Sequence, residues 1–249
     1  MKLFINLHNL LYTGCVFIIL SCSTGNPVEK SLTPVNEYDL LIPEPSGLSF
    51  GSNYESLWVV SDRPKEGIYQ ISLDGKIIQK LDYEGNDLEG ISYDFSDNTV
   101  WVVEEQQKEI IKLTLDGTVL IRQKLDISSD ANYGLEGISV ADSQYLWVTN
   151  EKNPGAIFRI NLNSYKSETQ KIFDFVKDYS GLCYDADSGN LWLVSDESEL
   201  LVRWNVLDNQ SERFSIPVKK AEGVAYRPSD NSIFIVSDAE GRLYHFALD

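Results

Sequence analysis

The sequence predicts an all-β chain folded as a five-bladed β-propeller, and three observations predict it. First, one segment recurs five times: EPSGLSF (44–50), DLEGISY (87–93), GLEGISV (134–140), YSGLCY (179–184) and AEGVAY (221–226), with its glycine at 47, 90, 137, 181 and 223. A spacing of 42 to 47 residues is the signature of a repeat architecture. Second, each copy continues through a polar turn into a short apolar run, LWVVSD (57–62), VWVVEE (100–105), LWVTNE (146–151), LWLVSD (191–196) and IFIVSD (233–238), rich in the residue types that favour strands. Third, Trp58, Trp101, Trp147, Trp192 and Phe234 share one position of the repeat, which suits large rings packed between neighbouring blades.

The elements follow in order. Lys2, the apolar stretch Leu10–Leu20 and the small residue Ser21 read as a secretory signal over residues 1–21, too short for a comfortable membrane-spanning helix. Ile19-Leu20-Ser21-Cys22 is similar to a bacterial lipoprotein box, which makes Cys22 the candidate lipidation site. Cys15 is the weaker alternative, because the apolar run continues past it, and a plain signal peptide is the simpler reading. Residues 22–34, rich in Ser, Thr, Pro, Gly and Asn, read as a flexible tether. A lipid and a tether would hold the folded part in water beside a membrane.

Residues 35–249 are the expected propeller. In the second repeat the runs Gly90–Tyr93, Thr99–Glu104, Glu109–Leu115 and Val119–Asp126 predict four strands, with Asp97-Asn98 turning the first pair and Asp116-Gly117 the last; Asp74-Gly75 does the same one repeat earlier. Each repeat is therefore a four-stranded antiparallel meander, the unit of a propeller blade. The fifth repeat runs out after three strands, ending with Arg242–Leu248. The unclaimed segment Val35–Ile42 can supply the fourth strand and close the ring without an open edge.

A chain of 249 residues with 43% hydrophobic composition can bury roughly 70% of its unfolded surface, so its bulk stability needs neither disulfide nor metal. Cys183, on an expected inner strand, reads as a small buried apolar residue. The net charge of −17 argues against nucleic-acid partners and for cations or positively charged ligands.

Acids recur at two positions of the repeat. Before each glycine stands Ser46, Glu89, Glu136, Ser180 or Glu222; at the end of each second strand stands Asp62, Glu105, Glu151, Asp196 or Asp238. The first and second strands are antiparallel neighbours, so both positions fall at the same end of the blade. Fivefold repetition then gives two concentric sets of oxygens at one mouth of the channel. Carboxylates so gathered take up protons, pair with bases or hold a cation. Arg63, Lys65, Lys152 and Lys220 are the nearest bases in sequence. Hard oxygen ligands suit Ca²⁺, with Mg²⁺ the alternative, and zinc is disfavoured by the single His of the mature chain. The competing structural role is that each Glu hydrogen-bonds backbone amides of the next blade and knits the ring. No catalytic residue is assigned: His245 lies in a final-strand pattern, and phosphate-binding glycine motifs are absent.

The succession EPSGLSF…LWVVSD…IYQISLDGKII…DLEGISY…VWVVEE…IIKLTLDGTVL resembles the SdiA-regulated, YjiK-like bacterial proteins over residues 38–249, and is more loosely similar to NHL-repeat propellers. That resemblance implies a five-bladed propeller on the cell envelope with a calcium ion in a central site and no established activity. Carried over by motif, it assigns Glu89, Glu136 and Glu222 to the ion. Ser46 and Ser180 depart from a full ring, with Glu44 placed to substitute for the first. Two functions are expected: a monomeric envelope lipoprotein that presents its acidic face to a protein or small-molecule ligand, or a metal-dependent hydrolase of lactonase or phosphodiesterase type using the central carboxylates.

Overall fold

The computed structural model describes residues 30–127 and 133–248. The expected signal, Cys15, the lipidation site Cys22 and the tether up to residue 29 lie outside the described residues. Strands and turns account for the regular structure, with one short 3₁₀ turn at Ser52–Tyr54. No helix among the described residues is long and apolar enough to cross a membrane.

Five separate sheets form the blades. Blade 1 runs through Pro45–Phe50, Ser56–Ser61, Gly67–Ser72 and Ile77–Glu84. Blade 2 is Leu88–Asp94, Thr99–Glu104, Glu109–Thr114 and Val119–Lys124. Blade 3 is Leu135–Val140, Tyr145–Asn150, Ala156–Asn161 and Ser167–Lys171. Blade 4 is Leu182–Asp185, Asn190–Ser195, Leu200–Asn205 and Ser211–Ser215. Blade 5 takes Ala221–Arg227, Ser232–Ser237 and Arg242–Ala247 from the C-terminal end of the chain. Its fourth strand is Asn36–Asp39, antiparallel to Arg242–Ala247 with Asn36 opposite His245, so the expected closure by the N-terminal strand is what the fold uses.

One pairing departs from the expected layout. Lys30–Ser31, read from composition as tether, pairs in parallel with Phe214–Ser215 and adds a fifth strand to blade 4. Two residues carry no periodicity, and a parallel partner far away in sequence leaves no turn signal. The backbone of Phe214 and Ser215 supplies the template, since an outer strand has unpaired groups to offer.

The blades pack through five apolar clusters, each drawn from two neighbouring sheets. Trp58 sits with Ile91 and Val100 of blade 2, Trp101 with Ile138 and Val148 of blade 3, and Trp147 with Leu182 and Leu193 of blade 4. Trp192 sits with Val224 and Ile235 of blade 5, and Phe234 meets Leu48 and Val59 of blade 1. The aromatic position of the repeat is thus the inter-blade wedge the sequence predicts.

At the axis the inner strands nearly touch. A Cβ on Gly90 would lie 2.3 Å from the Glu136 carbonyl oxygen of blade 3, and one on Gly223 would lie 2.6 Å from the Leu48 nitrogen of blade 1. Only a residue without a side chain permits that approach, which is why the glycine recurs in all five copies. Serines two residues on stitch the same seam. Tyr93 N donates to Ser49 Oγ, Val140 N to Ser92 Oγ and Tyr184 N to Ser139 Oγ, each at 3.0 Å. Cys183 holds the equivalent place in blade 4 and is half-buried rather than wholly enclosed; its sulfur accepts the Tyr226 N–H, and burial pushes the thiol up to about 11.

Candidate metal centre

The acids assemble at the mouth where each first strand begins. Register places them: within each blade the residue three before the glycine lies beside the residue that ends the second strand. Asp62 N donates to Glu44 O at 3.1 Å, Glu105 N to Asp87 O at 3.0 Å, Glu151 N to Gly134 O at 3.0 Å and Asp238 N to Lys220 O at 3.2 Å. In blade 4 the corresponding donor, Asp196 N, goes to a side-chain oxygen of Asp178 at 3.1 Å. A third column, Glu44, Asp87, Gly134, Asp178 and Lys220, therefore belongs to the mouth beside the two that the sequence analysis singled out.

This third column decides the local chemistry. Asp87 approaches Glu105, and one oxygen from each of Asp87, Glu89 and Glu105 lies within 4.8 Å of the others. In a second set, Glu105, Glu136 and Glu151, one oxygen from each likewise lies within 4.8 Å of the others, so Glu105 belongs to both. Among the described residues no Lys or Arg forms an ion pair with Asp87, Glu89, Glu105 or Glu136; Lys152 takes Glu151 at 2.7 Å and Glu197 at 2.9 Å. The other predicted positions are compensated differently. Glu222 and Asp238 face Lys220 Nζ at 4.0 and 2.7 Å. Asp62 hydrogen-bonds Glu44. Asp196 neighbours Asp178, whose carboxylate accepts from Ser195 Oγ at 2.6 Å, Ser180 Oγ at 3.1 Å, Asp196 N at 3.1 Å and Glu197 N at 3.0 Å.

Both structural and electrostatic roles operate at the inner column. Ser46 Oγ donates to the Glu89 backbone and carboxylate oxygens, each at 2.8 Å, linking blade 1 to blade 2. Gly134 N donates to Glu105 Oε1 at 3.0 Å, linking blade 3 back to blade 2. These bonds leave most of the carboxylate lone pairs unused. The inner acids keep some water contact through the channel but are walled in by protein. Burial is the largest cause holding Glu136 well above the ordinary carboxyl range, followed by the charges of Glu89 and Glu222. Glu89 is raised in the same way by burial and the charge of Asp62, against a downward pull from Ser46. Glu105 is pushed up to about 7 by burial and by Asp87. Asp62 reaches about 7 through burial and Glu44, and Glu222 about 7 through burial, partly offset by Lys220. Asp196 is raised by burial and by the charge of Asp178. Carboxyls that resist ionising together bind either protons or a cation.

The eight acids of the two rings follow from the repeat, whereas Asp87 and Asp178 lie outside both rings. The signal that finds them is the position three before the glycine, acidic in blades 1, 2 and 4. His245 has no part at this mouth: its ring stacks on Phe234 at 4.4 Å, with Asn36 and Ser232 on its two nitrogens.

Fold and site together define a five-bladed propeller with an acid-lined channel mouth. The chain belongs to the SdiA-regulated family, whose model matches residues 36–247. Solved structures of similar fold are propeller proteins. Glutaminyl cyclase of Myxococcus xanthus superposes with a TM-score of 0.68 at 14% identity, over 90% of this chain and 98% of that one. Selenomethionine-substituted virginiamycin B lyase of Staphylococcus aureus gives 0.51 at 22% identity, over 86% of this chain and 70% of that one. A nidogen/laminin complex gives 0.55 at 18% identity, over 82% of this chain and 80% of that one. At these identities the likeness is one of fold.

Proposed function

We propose that this protein is a calcium-binding propeller of the cell envelope, tied to a membrane by a lipid on Cys22, that works as a binding module for a protein or small-molecule ligand at its acidic face. The observation that carries the calcium reading is the pair of carboxylate sets sharing Glu105, each with its oxygens within 4.8 Å. Calcium takes 6–8 oxygens in flexible geometry, whereas magnesium demands a near-ideal octahedron of six and dehydrates reluctantly. Five acids from two adjacent blades, Asp87, Glu89, Glu105, Glu136 and Glu151, suit the larger ion. The ion would offset the burial and like-charge repulsion that raise Glu89, Glu105 and Glu136, and would join blade 2 to blade 3.

Calorimetric titration of the chelator-stripped, full-length protein in detergent tests this. Calcium should bind with release of protons near neutral pH and raise the melting temperature, with magnesium weaker. Absence of both heat and melting shift at millimolar calcium would remove the metal from the account. Incubation of the same protein with lactones and phosphodiesters separates module from hydrolase: turnover that disappears in Glu105→Gln would replace the binding-module reading with the metal-dependent enzyme. The anchor is tested by labelling cells with a radioactive fatty acid, which should mark the wild type and leave Cys22→Ser unlabelled.

A further inference from the structure

The opposite mouth of the channel, where the first strands end, holds a cavity of about 340 Å³. Its size falls within the range of small-molecule sites. We propose that this cavity binds an organic cation, an ammonium or guanidinium group carried on a compact apolar body.

Six aromatic side chains, Phe50, Tyr54, Tyr93, Phe95, Tyr184 and Tyr226, line it among serines and aspartates. Tyr54 and Phe95 stack at 5.3 Å, and Tyr93 meets Phe95 edge-on at 4.9 Å. Tyr184 of blade 4 and Tyr226 of blade 5 line the same space. Tyr93 and Tyr226 direct their hydroxyls to the turn residues Asn98 and Asn231, which fixes their rings. The negative face of an aromatic ring attracts a cation, and several rings around one cavity form the arrangement that suits quaternary ammonium groups.

Carboxylates supply the charge. Asp142, Asp185 and Asp187 line the cavity, and among the described residues none of them forms an ion pair. Two nearby cations are held by other acids, and a third, Arg159, stacks on the Tyr145 ring at 3.6 Å. Lys112 holds Asp94 at 3.2 Å and Asp97 at 2.6 Å, and Arg227 holds Asp230 at 2.6 Å. The field reaches across the opening. Tyr54, from blade 1, has its phenol raised by burial first and then by Cys183, Asp185 and Asp187 of blade 4.

The same acids are poorly arranged for a metal. Asp142 Oδ1 caps a turn by accepting Gln144 N at 2.7 Å and Tyr145 N at 3.0 Å. Asp185 accepts Asp187 N at 3.2 Å and Ser188 Oγ at 2.5 Å. Among the described residues the close carboxylate sets both lie at the other mouth. A diffuse negative field over aromatic walls selects a large, weakly hydrated cation over a small hard one. The site is separate from the calcium reading: different blades' ends, different residues and a different class of ligand.

Benzyltrimethylammonium is the probe, titrated calorimetrically into the full-length protein in detergent, with benzyl alcohol as the neutral aromatic of similar body. The expected result is saturable binding of the cation at least about tenfold tighter than of the alcohol, the scale of a desolvated cation–π contact. Tyr54→Leu and Asp187→Asn should each weaken the cation by about threefold or more, with melting temperature unchanged and the alcohol unaffected by the Asp187 change. Glu105→Gln at the far mouth should leave probe binding as it is. Equal binding of cation and alcohol, no saturable binding at millimolar probe, or affinity untouched by both cavity variants would overturn the proposal.

Discussion

The acidic mouth has two halves built on one repeat, and they handle negative charge in opposite ways. Where blades 4 and 5 meet, the protein neutralises its acids itself. Asp178 is 3% exposed and receives four hydrogen bonds, two from hydroxyls and two from backbone amides, while Lys220 sits on Asp238 at 2.7 Å. Where blades 2 and 3 meet, the corresponding positions hold Asp87 and Gly134, which bring an extra acid and no base, and Glu105 collects neighbours on both sides. The position three before the glycine thus separates a seam whose acids find hydrogen bonds and a lysine from one that leaves Asp87, Glu89, Glu105 and Glu136 without a base among the described residues. The scaffold sets where carboxylates converge; the residue beside them sets whether they are already paired.

The largest effect expected from breaking this contrast is on stability. Asp178→Ala strands two hydroxyls and two amides in a buried place, and should cost on the order of 3 kcal/mol in chemical denaturation while leaving calcium affinity nearly unchanged. Glu105→Gln attacks the other half. It should weaken calcium by at least about tenfold, about 1.4 kcal/mol, in titration calorimetry. The metal-free variant should melt no lower than the wild type, because a like charge has gone.

Next comes pH. Glu105 and Asp62 ionise near 7 when folded against reference values of 4.5 and 3.8. A raised folded value means the stabilisation is complete below the unfolded value and is lost as pH climbs through about 7. Glu89 and Glu136 act in the same direction. The metal-free protein should therefore melt several degrees lower at pH 8 than at pH 5, and calcium should restore most of the loss at pH 8 and little at pH 5. The smallest effect is that of Lys220→Ala. Its ion pair is half exposed, so the stability change should stay within about 1 kcal/mol. Calcium affinity at blades 2 and 3 should rise by less than about threefold through the longer-range field.

Much of this was legible in the chain. The glycine at 47, 90, 137, 181 and 223 gave blade number, and the ring shows why nothing larger fits there. The aromatic position and the missing last strand likewise translate directly into inter-blade wedge and N-terminal closure. What was not legible depends on contacts between blades. The sharing of Glu105 between two sets, the reach of Lys152 from Glu151 to Glu197, and Ser46 on Glu89 all join residues of different repeats or loops, which no within-repeat spacing reveals. Asp87 and Asp178 escaped because their column also holds Gly134 and Lys220, so it looks variable until the strands are paired. The far cavity escaped for a related reason: Tyr54, Phe95 and Asp187 stand seven, five and six residues after their glycines, at different positions of the turn, so no column of the repeat collects them.

The most direct test of the central claim is the anomalous difference density of a crystal grown with manganese substituted for calcium. The account predicts one strong peak bound by Glu105 together with oxygens of Asp87, Glu89, Glu136 or Glu151. A peak centred on Glu222 and Asp238, or no peak at the acidic mouth, would contradict it.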